Sequence, residues 1–285
     1  MNLEHDRGPA RDISVTAYYD DMTDRLLKVA GDLRMVHYGL WGPDTGTERE
    51  ALMRSIHTLA GGCDLGPGKR VLDAGCGLGG PAVALAQEYG VRVTGLTICE
   101  PHVALAAEYA EQRGVGHLVE FRHGDFMDMP FPDASFDAVT NHESFCYAPD
   151  KLAYLQGVRR VLKPGGHWRM VDGLLSGKPM SEAQEAVHVS MQRGFHMPPL
   201  ASLRGLLEAL EQAGFEEIRE RDLDSEVAPA VESLRKRWKL LVFLTPPPQP
   251  DEISYHELMQ AAVDFDQGLR EGVFTYRLVS GANPG

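Results

Sequence analysis

The stretch VLDAGCGLGG, from Val71 to Gly80, decides the fold. Apolar strand-forming residues lead to Asp73 and pass directly into a glycine-rich turn, and the following PAVALAQEYG has the pattern of an amphipathic helix. A strand, a glycine turn and a helix in this order let the backbone approach a nucleotide-like ligand at the helix N-terminus. The sequence therefore predicts a ligand site at this turn.

The same turn matches the G-x-G-x-x-G pattern of dinucleotide-binding folds through Gly75, Gly77 and Gly80. Two details argue against NAD. Asp73 would crowd the pyrophosphate with like charge, and the next strand, VRVTGLT, ends at Thr97 without the acidic residue that binds a ribose. The turn resembles instead the D-x-G-x-G loop of S-adenosylmethionine-dependent methyltransferases, whose ligand is cationic and carries no phosphate.

Strands alternate with helices through the middle of the chain. The predicted strands are VLDAG, VRVTGLT, LVEFRHGD, FDAVTNHES and, after a turn at KPGG, HWRMVDGLL. This alternation predicts an α/β fold with a doubly wound, mostly parallel sheet, as in the Rossmann-like class I methyltransferases. Ligands of such sheets lie beyond the carboxyl ends of the strands, where Asp73, Thr97, Asp125 and Asn141 all fall.

The two ends of the chain are predicted to cover these strand ends. Residues 1–62 form an N-terminal helical and aromatic segment that is part of an acceptor cap, and residues 63–285 form the core domain. The core carries a lid insertion at about 178–200 and 229–271, and the two helical segments that flank the proline run TPPPQP are predicted to lie over the strand ends as a lid. A helix is predicted to begin at Pro229, and two further strands are predicted at FEEIRERDL and VFTYRLVSG.

Composition excludes several classes of function. The 285 residues carry a formal net charge of −13 at pH 7, which argues against non-specific binding to nucleic acid or to an anionic membrane. No apolar run is long enough for membrane insertion. The four cysteines lack metal-ligand spacing, and the first residues, MNLEHDRGPARD, lack the apolar core of a secretory signal, so a reduced, cytoplasmic setting is expected. A homo-oligomer is compatible with the sequence.

Three segments resemble the C-methyltransferases that act on sterols, tocopherols and prenyl diphosphates. They are AYYDDMTDRL with VHYGLWG, LDAGCGLGGPAVALA with VTGLTICEPHV, and NHESFCYAPDK. The third segment, which contains Glu143, is the most specific of them, because the glycine loop fits almost any methyltransferase. The resemblance implies a C-methyltransferase with S-adenosylmethionine as cofactor and a small isoprenoid molecule as acceptor.

The resemblance also implies which residues hold the cofactor. They lie in the glycine loop and at the strand ends: Asp73, Gly75, Gly77, Thr97, Ile98, His102, Asp125, Phe126 and Asn141. In this assignment Asp125 accepts a hydrogen bond from the adenine amino group, and Phe126 lies against the adenine ring. Asn141 faces the methionine ammonium with its backbone or its side chain.

Glu143 is the predicted catalytic residue. Methylation of an alkene leaves a carbocation, which aromatic faces stabilise by about 0.5 to 2 kcal/mol per contact and from which a carboxylate can remove a proton. The residues predicted to line the acceptor site are Tyr19, Trp41, His142, Phe145 and Tyr147. Two alternatives stay open: Phe145 and Tyr147 pack their loop against the next helix, and only one of the adjacent Tyr18 and Tyr19 faces the site.

The predicted acceptor is a short prenyl diphosphate, such as isopentenyl or geranyl diphosphate. A diphosphate needs cations or a metal, so Mg²⁺ would bridge its phosphates, although no metal ligand is assigned to the protein. The candidate basic residues are Arg193, His196, Arg235, Lys236, Arg237 and Lys239 in the lid, and Arg25, Lys28, Arg34 and His37 near the N-terminus. The alternatives are an O- or N-methyltransferase, in which Glu143 or His142 deprotonates the nucleophile, and a methyltransferase-fold cyclase.

Overall fold

The computed structural model describes residues 14–244 and 253–284. The polar stretch MNLEHDRGPARD and the proline run TPPPQP lie outside the described residues. Within the described residues, no helix has both the length and the apolar character that a membrane span requires.

The strands form one seven-stranded sheet. They are β1 (Arg70–Ala74), β2 (Arg92–Thr97), β3 (Val119–His123), β4 (Phe136–His142), β5 (Leu162–Leu175), β6 (Glu216–Asp222) and β7 (Phe274–Ala282). Their order is β3-β2-β1-β4-β5-β7-β6. The first five pair in parallel, and β7 runs antiparallel to both β5 and β6. The predicted doubly wound, mostly parallel sheet is confirmed.

The helices follow the predicted alternation. They are α1 (Val15–Val29), α2 (Glu48–Ala60), α3 (Gly80–Tyr89), α4 (Glu100–Gln112), α5 (Lys151–Val161), α6 (Glu182–Phe195), α7 (Leu203–Gln212), α8 (Asp224–Leu244) and α9 (Ile253–Arg270). Local capping explains several boundaries, because Ser14 caps α1 and Thr47 with Glu50 forms a capping box at α2.

Two local predictions were wrong. The KPGG segment is not a free turn but part of β5, because the backbone N–H of Gly165 donates to the Asn283 carbonyl and the Gly166 carbonyl accepts from Asn283 N, both at 2.8 Å. The eighth helix begins before Pro229, at Asp224, whose N–H is capped by the Asp222 carboxylate at 2.8 Å. In both places the strand or helix continues past residues that usually form turns, because of hydrogen bonds that are not evident from the sequence.

Apolar side chains cover both faces of the sheet. On one face Ile56 of α2 and Val83 of α3 belong to a buried cluster with Val93 of β2. On the other face Tyr154 of α5 and Leu210 of α7 pack in a second cluster. Burial on both faces explains the apolar residues of the central strands β1 and β4. The edge strand β3 is more polar and more exposed.

Further helices pack at the carboxyl edge of the sheet. Met191 of α6, Val231 of α8 and Phe265 of α9 belong to a third buried cluster, which also contains Tyr276 of β7. Helix α1 contacts α4 and α9, and Tyr18 on α1 is buried. The role of these helices as a lid over the acceptor stays a prediction.

Candidate active site

The glycine loop between β1 and α3 is shaped by close backbone packing. Gly75 has φ +91°, and a Cβ atom added there would lie 2.5 Å from the Cβ of Ser144. The backbone N–H groups of Gly75 and Cys76 both donate to the Leu96 carbonyl, at 2.9 and 3.0 Å, which fastens the loop to β2. Gly77, with φ +50°, has no atom within 4 Å of its Cβ position. The loop therefore has open space at Gly77, where a ligand can approach the backbone.

Asp73 lies in the buried part of β1, one residue before the strand ends. It is 1% exposed, and among the described residues its Oδ2 has no hydrogen-bond partner. Burial raises the pKa of Asp73 to about 7. A buried carboxylate without a partner is unfavourable alone and favours a cationic ligand. An ammonium group beside the glycine loop satisfies this requirement.

The end of β2 is connected to helix α1. The Oγ1 of Thr97 accepts from the backbone N of Cys99 at 3.3 Å, and the Sγ of Cys99 donates to Oδ1 of Asp20 at 3.2 Å. His102 is buried, with Nε2 3.1 Å from Oγ1 of Thr23, and burial lowers its pKa to about 4. Sequence reasoning missed Asp20 and Thr23, because nothing local connects α1 to a strand that follows it by seventy residues.

The end of β3 brings Phe126 to the glycine loop. The Cε1 atom of Phe126 is 3.7 Å from the Cβ position of Gly75. Asp125 is exposed and caps the short helical turn that follows it, accepting from the backbone N–H two residues onward at 2.8 Å. The Ile98 carbonyl lies 3.1 Å from Nε2 of His123. These positions agree with the expected adenine end of the site, and the adenine contact itself stays a prediction.

The Asn141 side chain is fully used inside the protein. Its Nδ2 donates to the Ala74 carbonyl and to Oγ of Ser144, both at 2.9 Å. Its Oδ1 accepts from the Tyr154 hydroxyl at 2.6 Å and from Nε1 of Trp168 at 2.8 Å. All of its hydrogen-bonding capacity is thereby satisfied. The expectation that the side chain faces the methionine ammonium is corrected, which leaves only the backbone alternative.

Glu143 follows β4 directly, in a left-handed backbone conformation with φ +50°. Its Oε1 accepts from the backbone N of Tyr38 at 2.8 Å and from the Tyr276 hydroxyl at 2.5 Å. The residue as a whole is partly exposed, but its carboxyl group is enclosed by protein. Burial raises the pKa of Glu143 to about 8, against the two hydrogen bonds, which lower it. A positive φ on a non-glycine residue is costly and is often found at functional sites.

Two aromatic groups lie around this carboxylate. The Tyr38 ring stacks on Phe265, with centroids 5.7 Å apart, and meets Tyr276 edge-on at 6.3 Å. The Tyr19 hydroxyl donates to the Tyr147 hydroxyl at 3.0 Å. The structure thus brings the predicted Tyr19 and Tyr147 together. Sequence reasoning missed Tyr38 and Tyr276 as neighbours of Glu143, and Phe265 as the ring that packs against both, because they come from three distant segments.

Phe145 and Trp41 do not join these groups. Phe145 is fully buried in the core, where it contacts Tyr154 and Trp168 at centroid distances of 5.8 and 5.5 Å. The prediction that Phe145 lines the acceptor site is therefore corrected, and the packing alternative holds.

The backbone N of Trp41 donates to the Glu226 carbonyl at 2.7 Å, and in the described part of the chain no ring contact joins Trp41 to either aromatic group. Its predicted role gains no support.

Asp172 is a site residue that sequence reasoning overlooked. It lies near the carboxyl end of β5 and is buried. Its Oδ2 accepts from Cys146 N at 2.9 Å and its Oδ1 from Gly173 N at 2.8 Å. Burial raises the pKa of Asp172 to about 6, and its charge raises that of Glu143. The rule that singled out Asp73, an acidic residue at the end of a parallel strand, also applies to Asp172.

His142, predicted to line the acceptor site, stacks on His37. The ring centroids are 3.5 Å apart and the ring planes differ by 25°. Burial lowers the pKa of His37 to about 4 and that of His142 well below its ordinary value. Both rings are therefore neutral at pH 7. This environment disfavours the cationic form of His37 that the sequence offered to a diphosphate.

The expected basic cluster for a diphosphate is not formed on α8. Three of its basic residues lie in the ion pairs Arg235–Asp266 (2.9 Å), Lys236–Glu232 (2.9 Å) and Arg237–Glu48 (3.5 Å). Lys28, Arg193 and Lys239 are exposed. Across residues 14–244 and 253–284, no group of three or more His, Cys, Asp or Glu side chains is placed to hold a metal ion.

Comparisons with known proteins agree with the glycine loop and the sheet. A family model described as a methyltransferase domain matches residues 72–170. The 27-O-demethylrifamycin SV methyltransferase of Amycolatopsis mediterranei is 34% identical over 221 residues, which cover 78% of this chain and 80% of that relative. The chain belongs to the S-adenosylmethionine-dependent methyltransferases.

This methyltransferase is similar to enzymes named for different acceptors. Sterol 24-C-methyltransferase ERG6B of Gibberella zeae is 38% identical over 216 residues, which cover 73% of this chain and 57% of that relative. The methyltransferase thus spans little more than half the length of this sterol relative. Because C- and O-methyltransferases are both among its relatives, family membership alone does not define the acceptor.

Solved structures share its fold over nearly the whole chain. The 4+2 cyclase SpnF has a TM-score of 0.81 at 26% identity, with 95% of this chain and 96% of that chain covered. The geranyl diphosphate C-methyltransferase of Streptomyces coelicolor A3(2) has a TM-score of 0.72 at 20% identity, covering 95% of this chain and 100% of that chain. The second likeness shows the fold alone.

The residues of this methyltransferase fit S-adenosylmethionine. The unpaired Asp73 carboxylate suits the ammonium of the methionine part, and the open space at Gly77 admits it beside the loop. His102 presents a buried Nδ1 that has no hydrogen-bond partner among the described residues. Buried polar atoms are rarely left unpaired in complete sites, so these atoms indicate where a polar ligand belongs.

Proposed function

We propose that this methyltransferase transfers a methyl group to an alkene carbon of an isoprenoid acceptor, with Glu143 as the general base. The observation that carries the proposal is the enclosed Glu143 carboxylate, held by Tyr38 and Tyr276 at the end of β4. When bound, S-adenosylmethionine would supply its methyl group as an electrophile, and the methyl–sulfur bond would break with both electrons kept by sulfur. The similarity to a sterol 24-C-methyltransferase, an enzyme named for methylation at carbon, supports the same reaction class.

An alkene needs no base before it is methylated, but it needs one afterwards. Its π electrons form the new carbon–carbon bond, and the neighbouring carbon is left as a cation. The rings of Tyr38, Tyr276 and Phe265 can stabilise this cation by about 0.5 to 2 kcal/mol per contact. Glu143 then takes a proton from the adjacent carbon, and the electrons of that C–H bond restore a double bond.

The surroundings of Glu143 suit this proton transfer. A carboxyl group whose pKa is raised to about 8 is a stronger base, once ionised, than an ordinary glutamate. The packing of α1, α6 and α9 at the same edge keeps water from the cation. The hydrogen bond from Tyr276 holds one carboxylate oxygen in place.

The charges near the site favour a neutral acceptor over the short prenyl diphosphate predicted from the sequence. Asp73, Glu143 and Asp172 lie near the strand ends, where a diphosphate would meet either a repelling carboxylate or a neutral carboxyl group and not a cation. The half-buried Lys151 amine donates to the Phe145 and Cys146 carbonyls at 2.9 Å each. We therefore propose a neutral isoprenoid, with a prenyl diphosphate and its Mg²⁺ as the second choice. A cytoplasmic location and a homo-oligomer stay predictions from the sequence.

O-methylation is a second candidate function, favoured by the neutral His37–His142 pair. A neutral imidazole can take the proton of a hydroxyl nucleophile, and the Amycolatopsis relative is named for methylation at oxygen. In this alternative the acceptor hydroxyl lies beside His142 and the methyl group ends on oxygen. The two candidates thus differ in the atom that is methylated.

Labelling decides between these candidates. The protein is incubated with methyl-labelled S-adenosylmethionine and a panel of neutral isoprenoid alkenes, prenyl diphosphates, sterols and phenols, and NMR locates the label. We expect it on carbon. In Glu143→Gln we expect turnover to fall at least about a hundredfold, with unchanged calorimetric affinity for S-adenosylhomocysteine.

Glu208→Gln is the matched control, because Glu208 is an exposed residue of α7 whose ion pair is with the neighbouring Arg204. It should turn over as the wild type does. Label on oxygen alone, near-normal turnover by Glu143→Gln, or an unmethylated rearranged product would each contradict the proposal.

A further inference from the structure

The stacked imidazoles of His37 and His142 lie beside the anchor of the proposed base. His142 precedes Glu143 in the chain, and His37 precedes Tyr38, whose backbone N–H donates to the Glu143 carboxylate at 2.8 Å. With 3.5 Å between their centroids, the two rings form one unit at the end of β4. Whatever contacts this unit is therefore close to the reacting region.

Most nitrogens of this pair are buried without a partner. Among the described residues, Nε2 of His37 and both ring nitrogens of His142 have no hydrogen-bond partner, and His142 is only 6% exposed. Native proteins pair nearly all of their buried polar atoms, with protein, water or ligand. Three unpaired nitrogens in one buried stack therefore indicate a polar ligand group that the polypeptide does not supply.

The tautomers define what that group must offer. Nδ1 of His37 lies 3.3 Å from the Tyr38 carbonyl, and since a carbonyl only accepts, Nδ1 carries the hydrogen. In the neutral ring Nε2 of His37 is then an acceptor. Neutral His142 has one N–H donor and one acceptor nitrogen. The pair thus requires a group that both donates and accepts a hydrogen bond.

We propose that His37 and His142 bind a hydroxyl group of the acceptor. The hydroxyl donates to Nε2 of His37, and the N–H of His142 donates to its oxygen. A diphosphate oxygen without a proton could not donate to His37. A hydrocarbon would leave all three nitrogens unpaired, whereas the hydroxyl pairs two of them. This assignment rests on the proposed function and narrows the acceptor to an isoprenoid alcohol.

Matched pairs of alcohol and hydrocarbon test the hydroxyl site. The protein, saturated with S-adenosylhomocysteine, is titrated by calorimetry with farnesol and with desmosterol, each beside the analogue in which hydrogen replaces the hydroxyl. We expect the wild type to bind the alcohol of a pair about tenfold more tightly. His142→Phe keeps an aromatic ring to stack on His37 but removes both nitrogens. The ratio of the affinity for the alcohol to the affinity for the hydrocarbon should therefore fall to near one.

Two further variants keep the test independent of folding. His37→Phe should lower the same ratio from the other side of the pair, and His142→Gln, which can still donate and accept, should retain part of it. Unchanged affinity for S-adenosylhomocysteine shows that each variant is folded. Equal affinity for alcohol and hydrocarbon in the wild type, no binding of any probe, or an unchanged ratio in His142→Phe overturns the hydroxyl site. The last result is what a pair that holds only water would give.

The labelling experiment judges the proposed function separately. Label on the alcohol oxygen, together with a lost ratio in His142→Phe, would overturn methylation at carbon and support the hydroxyl site. Label on carbon, with an unchanged ratio in His142→Phe, would support methylation at carbon and overturn the hydroxyl site.

Discussion

At the scale of single residues, the hydrogen bond from Tyr276 to Glu143 controls the proposed base. The Tyr276 hydroxyl lowers the pKa of Glu143, whereas burial raises it to about 8. Because the base acts only when ionised, wild-type turnover should rise with pH through about 8. Tyr276→Phe removes the donor, so the pKa of Glu143 should rise further and the midpoint should move to higher pH.

The measurement is turnover at saturating substrate from about pH 6 to about pH 10, which brackets this pKa. Tyr109→Phe is the control, because its hydroxyl donates to the Asp32 carbonyl, away from the site, at 3.0 Å. Its midpoint should match that of the wild type. A Tyr276→Phe midpoint at the wild-type pH would show that another group titrates.

At the scale of elements, Tyr147 ties the loop after β4 to two helices. Its hydroxyl accepts from Tyr19 of α1 at 3.0 Å and donates to the Phe195 carbonyl at the end of α6 at 2.9 Å. Tyr147→Phe removes both bonds, each worth about 0.5 to 1.5 kcal/mol. We expect faster amide hydrogen exchange in α1 and at the end of α6, and a higher KM for the acceptor.

Tyr19→Phe is the graded control, since it removes only the bond between the two tyrosines. Amide hydrogen exchange in this variant should become faster in α1 and change much less in α6. If Tyr147→Phe leaves exchange in both helices at the wild-type rate, the two hydrogen bonds do not hold these elements at the strand ends.

At the scale of the whole molecule, buried carboxyl groups make stability depend on pH. Asp73 has a pKa of about 7 in the folded protein and 3.8 as the reference value, so the folded state binds its proton more tightly than the unfolded chain. The free energy of unfolding that this group contributes is complete below about pH 4 and is lost as pH rises through about 7. Without cofactor, Asp73→Asn should therefore be more stable than the wild type at pH 8.

Melting temperatures at about pH 4 and about pH 8 test this effect. We expect Asp73→Asn to melt at least about 3 °C above the wild type at the higher pH and close to it at the lower pH. The same variant should lose affinity for S-adenosylhomocysteine, since it lacks the charge for the ammonium. Asp44→Asn, at an exposed position, is the control. Equal melting at the higher pH would show that Asp73 is not held protonated by burial.

Part of the site could be predicted from the sequence, because ligands of parallel sheets bind at the edge where the strands end. Asp73 and Glu143 each follow an apolar run, and parallel strands end at one edge, so both were expected there. The burial of Phe145 and the internal hydrogen bonds of Asn141 could not be predicted from the sequence. An aromatic or amide side chain at a strand end can equally well pack in the core or bind a ligand. The partners that decide between these roles come from distant helices and strands.

The sequence alone determined the doubly wound sheet, the glycine loop and the methyltransferase resemblance. Each of these depends on residues within a few positions of one another, through backbone conformation and apolar periodicity. Only the tertiary structure decided that Tyr276 holds Glu143, that His37 stacks on His142, and that Arg235 of α8 pairs with Asp266 of α9. Such contacts join segments up to 133 residues apart, and folding brings them together only by burying the surfaces around them.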